Sequence, residues 1–221
     1  MKIVLRIGGS VLGSPPNPSI LNGYVKVVSL LIREKHSLGI VVGGGEISRK
    51  YINAAKELGL LSYHQDMIAI HASRLNARLV SMKLGGASVV STSIKSAIAR
   101  LSKNRIAIMG GLKAGITTDT VATILSEAWR PDVLIKASNQ KGIYSSDPRV
   151  DKDARFLSSI TYSKLKEILG GRHVPGIHRI FDPVAVEHLI RIKVKLIVLD
   201  GRDAKNVLRA VHGEKIGTRV F

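Results

Sequence analysis

Cysteine is absent from the 221 residues, which excludes a disulfide framework, a thiolate metal site and a thiol nucleophile. Aromatic residues make up only 4% of the chain, and its 34 lysines and arginines are scattered, with no nucleic-acid-binding motif among them. The formal charge of +18 and pI near 10.4 therefore suit an enzyme for polyanionic small molecules, whose capture a positive field accelerates. Nucleic acid is not an expected partner. No apolar run is long enough to span a membrane, and Gly8-Gly9 interrupt the first run too early for a signal peptide. No membrane partner and a cytoplasmic location are the expectation. There is no Gly-x-x-x-x-Gly-Lys-Ser/Thr loop and no Gly-x-Gly-x-x-Gly turn after a strand, which disfavours a P-loop kinase and an ordinary dinucleotide enzyme. His64 and His71, like His173 and His178, are not helical i, i+4 pairs, so the metal ligands stay unknown. Ser10 lacks the Gly-x-Ser-x-Gly context of a hydrolase nucleophile.

What the chain does have is hydrophobic content of 45%, arranged as short apolar runs that alternate with helical periods. Lys2 to Ile7 reads as a central parallel strand ending in Gly8-Gly9-Ser10. Leu21, Val25, Val28 and Ile32 give the core stripe of the next helix. Gly39 to Val42 is a strand that ends in Gly43-Gly44-Gly45, and three consecutive glycines imply that backbone approaches something closely. A long helix is expected to begin at Asp66, with Ile68, Ala72, Leu75, Leu79 and Met82 as its core face and Asp66 as a candidate N-cap. Ser88 to Val90 and Arg105 to Met109 are further strand candidates. The second runs into Gly110-Gly111-Leu112-Lys113-Ala114-Gly115-Ile116-Thr117-Thr118-Asp119 ahead of a helix. Val133 to Ala137 is a strand that enters Ser138-Asn139-Gln140-Lys141-Gly142. Lys136 inside that strand is costly without an anionic partner. Helices around Tyr162 to Leu169, Asp182 to Ile190 and Asp203 to Val211, a strand from Lys195 to Leu199, a Gly170-Gly171 break and a terminal Thr218-Arg219-Val220 complete the reading.

Alternating strands and helices imply an α/β fold with a mostly parallel central sheet covered on both faces, a three-layer α/β/α sandwich. Ligands of such sheets bind beyond the carboxyl ends of the strands. The turns at Gly8, Gly43, Gly110 and Ser138 all stand at such ends, so they converge on one edge. Backbone N–H groups, cations and a few carboxylates gathered there suit phosphoryl transfer, which needs in-line positioning and charge neutralisation more than covalent catalysis.

Five segments occur in a specific order: Ile7-Gly8-Gly9-Ser10-Val11-Leu12, Val41-Val42-Gly43-Gly44-Gly45, Ala72-Ser73-Arg74-Leu75-Asn76-Ala77, Gly115-Ile116-Thr117-Thr118-Asp119 and Gly142-Ile143-Tyr144-x-x-Asp147-Pro148. With Phe181-Asp182-Pro183-Val184-Ala185 and the ending Gly213 to Thr218, this set resembles the amino acid kinase family over essentially the whole chain, and within it the archaeal type of uridine monophosphate kinase. The resemblance implies one amino acid kinase domain over 1–221, with a UMP-binding lobe at 1–131 and an ATP-binding lobe at 132–221. It implies phosphoryl transfer from ATP to UMP, Mg²⁺ accompanying ATP, and a homohexamer built as a trimer of dimers.

By the same resemblance Asp119 and Arg6 are the catalytic positions. Gly44, Asp66, Leu112, Lys113, Ala114, Gly115, Ile116, Thr117 and Thr118 fall on UMP-binding positions. Arg6, Ile7, Gly8, Gly9, Ser10, Gly45, Arg49, Ser138, Tyr144 and Asp147 fall on ATP-binding ones. Three residues depart from the family pattern: Arg6 stands for a frequent lysine, Ser138 for a threonine, and Lys141 for an aspartate. Lys136 or Lys141 is a candidate to supply compensating charge. Rival readings are a family member with another phosphate or carboxylate acceptor, and a non-catalytic basic nucleotide or nucleic-acid binder. Glu46-Ile47-Ser48 lack the histidine expected of an isopentenyl phosphate kinase.

Overall fold

The computed structural model describes residues 1–85, 89–169 and 180–221. Its elements run in chain order β1 (Lys2–Ile7), α1 (Gly9–Leu12), α2 (Pro18–Arg33), β2 (Ser37–Val42), α3 (Gly45–Glu57), α4 (Ser62–Lys83), α5 (Ile94–Asn104) and β3 (Ile106–Met109). There follow α6 (Thr118–Trp129), β4 (Val133–Ser138), β5 (Ile143–Tyr144), β6 (Phe156–Leu157), β7 (Ser159–Ile160) and α7 (Tyr162–Leu169). The last are α8 (Pro183–Ile192), β8 (Leu196–Asp200), α9 (Lys205–Val211) and β9 (Thr218–Val220).

Seven strands form one sheet in the order β3-β2-β1-β4-β8-β9-β7, and β5 pairs with β6 in a small hairpin beside it. Strands β3, β2, β1, β4 and β8 are mutually parallel; β9 runs antiparallel to β8. The centre of this sheet reads as near-continuous Ile, Val and Leu because both of its faces are covered. Ile3, Leu5 and Ile7 point into one core with α2 and α9, while Val4, Leu134 and Val198 point into a second with α5, α6, α7 and α8. Two cores about one sheet are the three layers that the alternating pattern implies.

Helix starts follow capping chemistry. Asn17 accepts from the backbone N–H of Ser19 and Ile20 ahead of α2, and Thr117 from Asp119 and Thr120 ahead of α6. Asp182 caps α8 through the N–H of Ala185. On α2 the buried face is centred on Leu21, Tyr24, Val28 and Leu31, so Val25 and Ile32 of the expected stripe lie at its half-buried margin.

Two expectations are corrected. Helix α4 begins at Ser62, so Asp66 sits inside it and is not its cap. Its buried face is Ile70, Ser73, Ala77 and Val80, whereas Leu75, Leu79 and Met82 are 61%, 40% and 56% exposed. The cause is compositional: α4 carries apolar residues on both sides, and the side facing β2 and β3 is filled by small and polar groups that hold loops. Of the expected strand at Ser88 to Val90, Val89 and Val90 are not extended into one, and only an isolated bridge joins Ser91 to Met109. Ser88, the Gly170-Gly171 break, His173 and His178 lie outside the described residues.

Tyr24 is fully buried and donates to the Gly201 carbonyl at 2.7 Å, tying α2 to the turn after β8. Tyr24→Phe keeps the ring and leaves that carbonyl unpaired. The expected loss is about 1–2 kcal/mol in denaturant unfolding, and an unchanged midpoint would show that the bond contributes nothing net.

Candidate active site

Four adjacent parallel strands deliver four loops to one edge. Strand β3 leads to Gly110-Gly111, β2 to Gly43-Gly44-Gly45, β1 to Gly8-Gly9-Ser10 and β4 to Asn139-Gln140. The glycines are first of all a packing device. A Cβ on Gly9 would lie 2.1 Å from the Gly45 nitrogen, and one on Gly110 2.7 Å from the Arg74 nitrogen. Gly45 also has φ +68, a conformation costly for other residues. What the triple glycine approaches so closely is the neighbouring glycine turn.

The next layer locks these loops in place. Asn76 donates to the carbonyls of Gly43 and Gly44 at 2.9 and 3.3 Å. Arg74 donates to those of Gly111 and Leu112 at 2.9 and 3.2 Å, and Ser73 Oγ accepts from the Gly111 N–H at 2.7 Å. These three polar residues form the inner face of α4.

Two cavities open at the edge. One of about 380 Å³ is walled by Arg6, Gly8 to Ser10, Gly45, Arg49, Asp119, Lys136, Ser138 and Arg149. The other, of about 230 Å³, is walled by Gly44, Ser48, Asp66, Ser73, Gly111 and Ile116 to Thr118. They meet where Gly44 is followed by Gly45 and Thr118 by Asp119. The first is lined by cations and glycine backbone, as a polyphosphate requires. The second carries a carboxylate and hydroxyls.

Asp119 lies in the first turn of α6, above the sheet face from which Arg6 and Lys136 rise. Those two are register partners on β1 and β4. Asp119 Oδ1 is 2.5 Å from Lys136 Nζ and 2.9 Å from Arg6 Nε. Burial alone would raise the Asp119 carboxyl, but the two cations outweigh it and hold it below the usual carboxylate range. Burial also pushes the Lys136 amine down, to about 8, against the pull of Asp119 and with the help of Arg6. Phe181 packs beneath that amine, its ring centroid 4.2 Å from Nζ. Arg6 Nη2 donates to Thr118 Oγ1 at 3.2 Å. Its buried Nε–H does not point at Asp119 and makes no hydrogen bond among the described residues, leaving a donor for an oxyanion.

Asp66 faces the second cavity and accepts from the Gly115 N–H at 2.8 Å, fastening the loop that follows β3. Lys113 is exposed, and neither it nor Ala114 lines either of these two cavities; Leu112 and Ile116 pack on the second core. Ile7 is buried below the first cavity, and its carbonyl accepts from the Gly43 N–H at 2.9 Å. Arg49 reaches Ser10 Oγ at 3.4 Å on the cavity rim. Tyr144 pairs across to Phe156 in the small hairpin, outside both cavities. Asp147 contributes indirectly: it binds Arg149 at 2.6 Å, and Arg149 lines the first cavity. Of the two compensating lysines, Lys136 is central, while Lys141 is exposed and lies over Phe156.

Sequence reasoning gave no site role to Ser48, Ser73, Arg149 or Asp182. Asp182 accepts from Thr117 Oγ1 at 2.5 Å and Thr120 Oγ1 at 2.9 Å, bracing the cap that sets the first turn of α6. The available signals were the polar pair Ser73 and Asn76 on a helix read as amphipathic, and an Asp-Pro helix start at a position shared with the family pattern.

The sequence model of the amino acid kinase family matches residues 1–200. The uridylate kinase of Methanothermobacter thermautotrophicus is 37% identical over 224 residues, covering 100% of this chain and 99% of that protein. That of Sulfurisphaera tokodaii is 36% identical over 222 residues, covering 99% and 98%. The crystal structure of uridylate kinase from Archaeoglobus fulgidus superposes with a TM-score of 0.91 at 34% identity over 100% of both chains. A UMP kinase structure from Bacillus anthracis, 18% identical with a TM-score of 0.83 over 99% of this chain and 95% of that one, shares the fold. Matched along its length in sequence and in structure, the chain belongs to the amino acid kinase family.

Proposed function

We propose that this enzyme transfers the γ-phosphoryl group of ATP to UMP, giving UDP and ADP. The observation that carries the reading is the pair of cavities meeting at Gly44–Gly45 and Thr118–Asp119, with Arg6 and Lys136 on the larger cavity's side, in a chain whose relatives are uridylate kinases. UMP occupies the smaller cavity, with Asp66 available to ribose hydroxyls and Gly44 and Thr118 close to its phosphate. ATP lies along the larger one, its phosphates over Gly8 to Ser10. Residues 1–131 then form the UMP lobe and 132–221 the ATP lobe, with the first glycine turn, Gly45 and Arg49 serving the ATP side from the first lobe.

In the transfer a UMP phosphate oxygen attacks the γ-phosphorus, and the bond to the β–γ bridging oxygen breaks to release ADP. A phosphate monoester is largely dianionic at neutral pH, its second pKa being about 6, so the attacking oxygen needs no base. Asp119, held anionic between two cations, is an organiser: it fixes Arg6 and Lys136 where charge on the transferring group must be neutralised. Mg²⁺ enters as part of the MgATP substrate. Among the described residues no group of three His, Asp or Glu side chains is placed to hold a metal, and such ions are commonly held by phosphate oxygens and water with few protein ligands.

The family resemblance also includes a homohexamer, a trimer of dimers, in the cytoplasm. The exposed apolar face of α4, Leu75, Leu79 and Met82, supports self-association, since contiguous apolar surface of this kind marks an interface.

A coupled ADP-release assay with UMP, CMP, dTMP, acetylglutamate and isopentenyl phosphate is expected to show turnover that depends on UMP; none with MgATP and UMP would overturn the reading. In that assay Asp119→Asn is expected to lower kcat about 10²–10³-fold with little change in UMP affinity; retained turnover would remove the organising role. Lys136 must be protonated to act, so kcat/KM is expected to fall as pH rises through about 8. Lys136→Met should be slow without that limb, and Lys136→Arg should recover part of the rate and stay flat. A limb that persists in both variants assigns it elsewhere. Light scattering is expected to show Leu75→Glu with Leu79→Glu breaking the dimer contact; an unchanged mass would place the interface on another face.

A further inference from the structure

The edge of the sheet opposite the catalytic loops collects cations that the sequence scatters. Among the described residues, every non-glycine residue with positive φ is basic: Lys35 at 64, Arg105 at 59, Arg130 at 51 and Lys193 at 46. Each stands at the end of a helix just before a parallel strand, α2 before β2, α5 before β3, α6 before β4 and α8 before β8. Lys2 begins β1, and Lys195 immediately precedes β8. Five neighbouring strands, β3-β2-β1-β4-β8, thus each enter the sheet beside an exposed Lys or Arg. At about 4.8 Å between strands, the row is about 19 Å long.

Helix geometry alone does not require this. Glycine takes the left-handed position without strain, and L side chains there are disfavoured. The helix dipole favours a cation near a C-terminus, but Lys2 lies in β1 and Lys195 in the link just ahead of β8. Nor are the charges neutralised internally. None of the six is in an ion pair among the described residues. Of the carboxylates close in sequence, Glu34 is engaged by His36 and His212, Glu127 by His188 and Arg191, and Asp132 by the Lys2 backbone N–H. Trp129, the chain's single tryptophan, lies half-buried beside Arg130 with the Lys2 ammonium 5.7 Å from its ring centroid.

We propose that this rim binds the phosphate backbone of single-stranded nucleic acid, at the end of the sheet remote from phosphoryl transfer. A line of cations without a carboxylate partner, Arg105 alone among them giving one N–H to the Lys35 carbonyl, fits a polyanion's linear charge at strand spacing, and the indole, packed on the second core with Lys2 over its ring, is a fluorescent reporter within the rim. Recognition is of charge and is indifferent to sequence. The inference reverses the expectation drawn from scattered lysines, because in the fold they are no longer scattered.

The test is fluorescence anisotropy of a labelled 12-nucleotide single-stranded RNA of mixed sequence, with ADP and UMP saturating so that the catalytic edge is filled. Binding is expected with a slope of log K against log salt of about −4, from six engaged phosphates at about −0.7 each, and with a change in Trp129 fluorescence. Lys35→Gly with Arg105→Gly and Arg130→Gly preserves the left-handed turns and is expected to shallow the slope by about 2 with UMP-dependent turnover unchanged. Lys2→Gln with Lys195→Gln, at positions without a left-handed backbone, is expected to shallow it by about 1.4 and serves if the triple variant does not fold. No salt-dependent binding, a slope unchanged in the folded variants, or tighter binding to duplex or to anionic phosphatidylserine vesicles than to the RNA would each overturn the proposal.

Discussion

Two cations stand side by side on one face of a parallel sheet, and the site depends on the carboxylate above them. Arg6 and Lys136 are register partners on β1 and β4, a placement in which like charges repel at close range. Both are largely withdrawn from solvent, with side-chain exposures of 15% and 4%. Asp119 compensates the pair, and it can do so because α6 starts where it does. That start is set by Thr117, which caps the helix, and by Asp182, which grips Thr117 and Thr120 from the neighbouring helix α8. The chain of dependence runs from a helix cap to a buried charge cluster and so to the electrostatics of transfer. One carboxylate against two cations leaves the cluster net positive, a state completed by an anionic ligand.

The glycine loops answer a different demand. For the two cavities to meet, the turns after β1 and β2 must pack almost in contact. Gly9 against Gly45 permits that approach, where any side chain would collide. Asn76, Arg74 and Ser73 then use their donors and acceptors on the loops' carbonyls and N–H groups. Helix α4 therefore has a polar inner face, and part of its apolar surface is left outside. Loop support at the active site and an exposed Leu75-Leu79-Met82 stripe are two consequences of one arrangement.

The layered α/β fold was legible in the sequence because its signals are local. Apolar strands ending in glycine and helices with a clear apolar period need only short windows to read, whereas Asn17 as the cap of α2 emerged only in the fold. The convergence of four loops on one edge followed from parallel topology. Helix α4 was not legible, since periodicity reports an apolar stripe without telling a core from a protein surface. Lys136 was noticed as anomalous, but its partner Asp119 is 17 residues away and becomes adjacent only when β4 docks against β1. Arg149 could not be found from composition at all, because it reaches the cavity from a loop held by Asp147. The positive rim escaped notice for the same reason: its members are far apart in the chain and adjacent only in strand order.

The departures from the family pattern acquire a physical reading from these positions. Arg6 is longer than a lysine and presents a planar fork. It uses one end on Thr118 and keeps Nε beside Asp119, so it spans from the hydroxyl beside the smaller cavity to the carboxylate of the larger. Lys141, where the family has a carboxylate, points its charge over Phe156 and does not line the larger cavity. The substitution therefore removes a negative charge near the larger cavity without placing a positive one inside it. Positive charge in the larger cavity rests with Arg6 and Lys136; Asp119 opposes it by direct contact, and the more distant Asp182 adds a weaker pull on Lys136. In such a cluster Asp119 cannot be traded for a neutral residue at small cost, because its loss would leave two buried cations facing each other without the carboxylate that touches both.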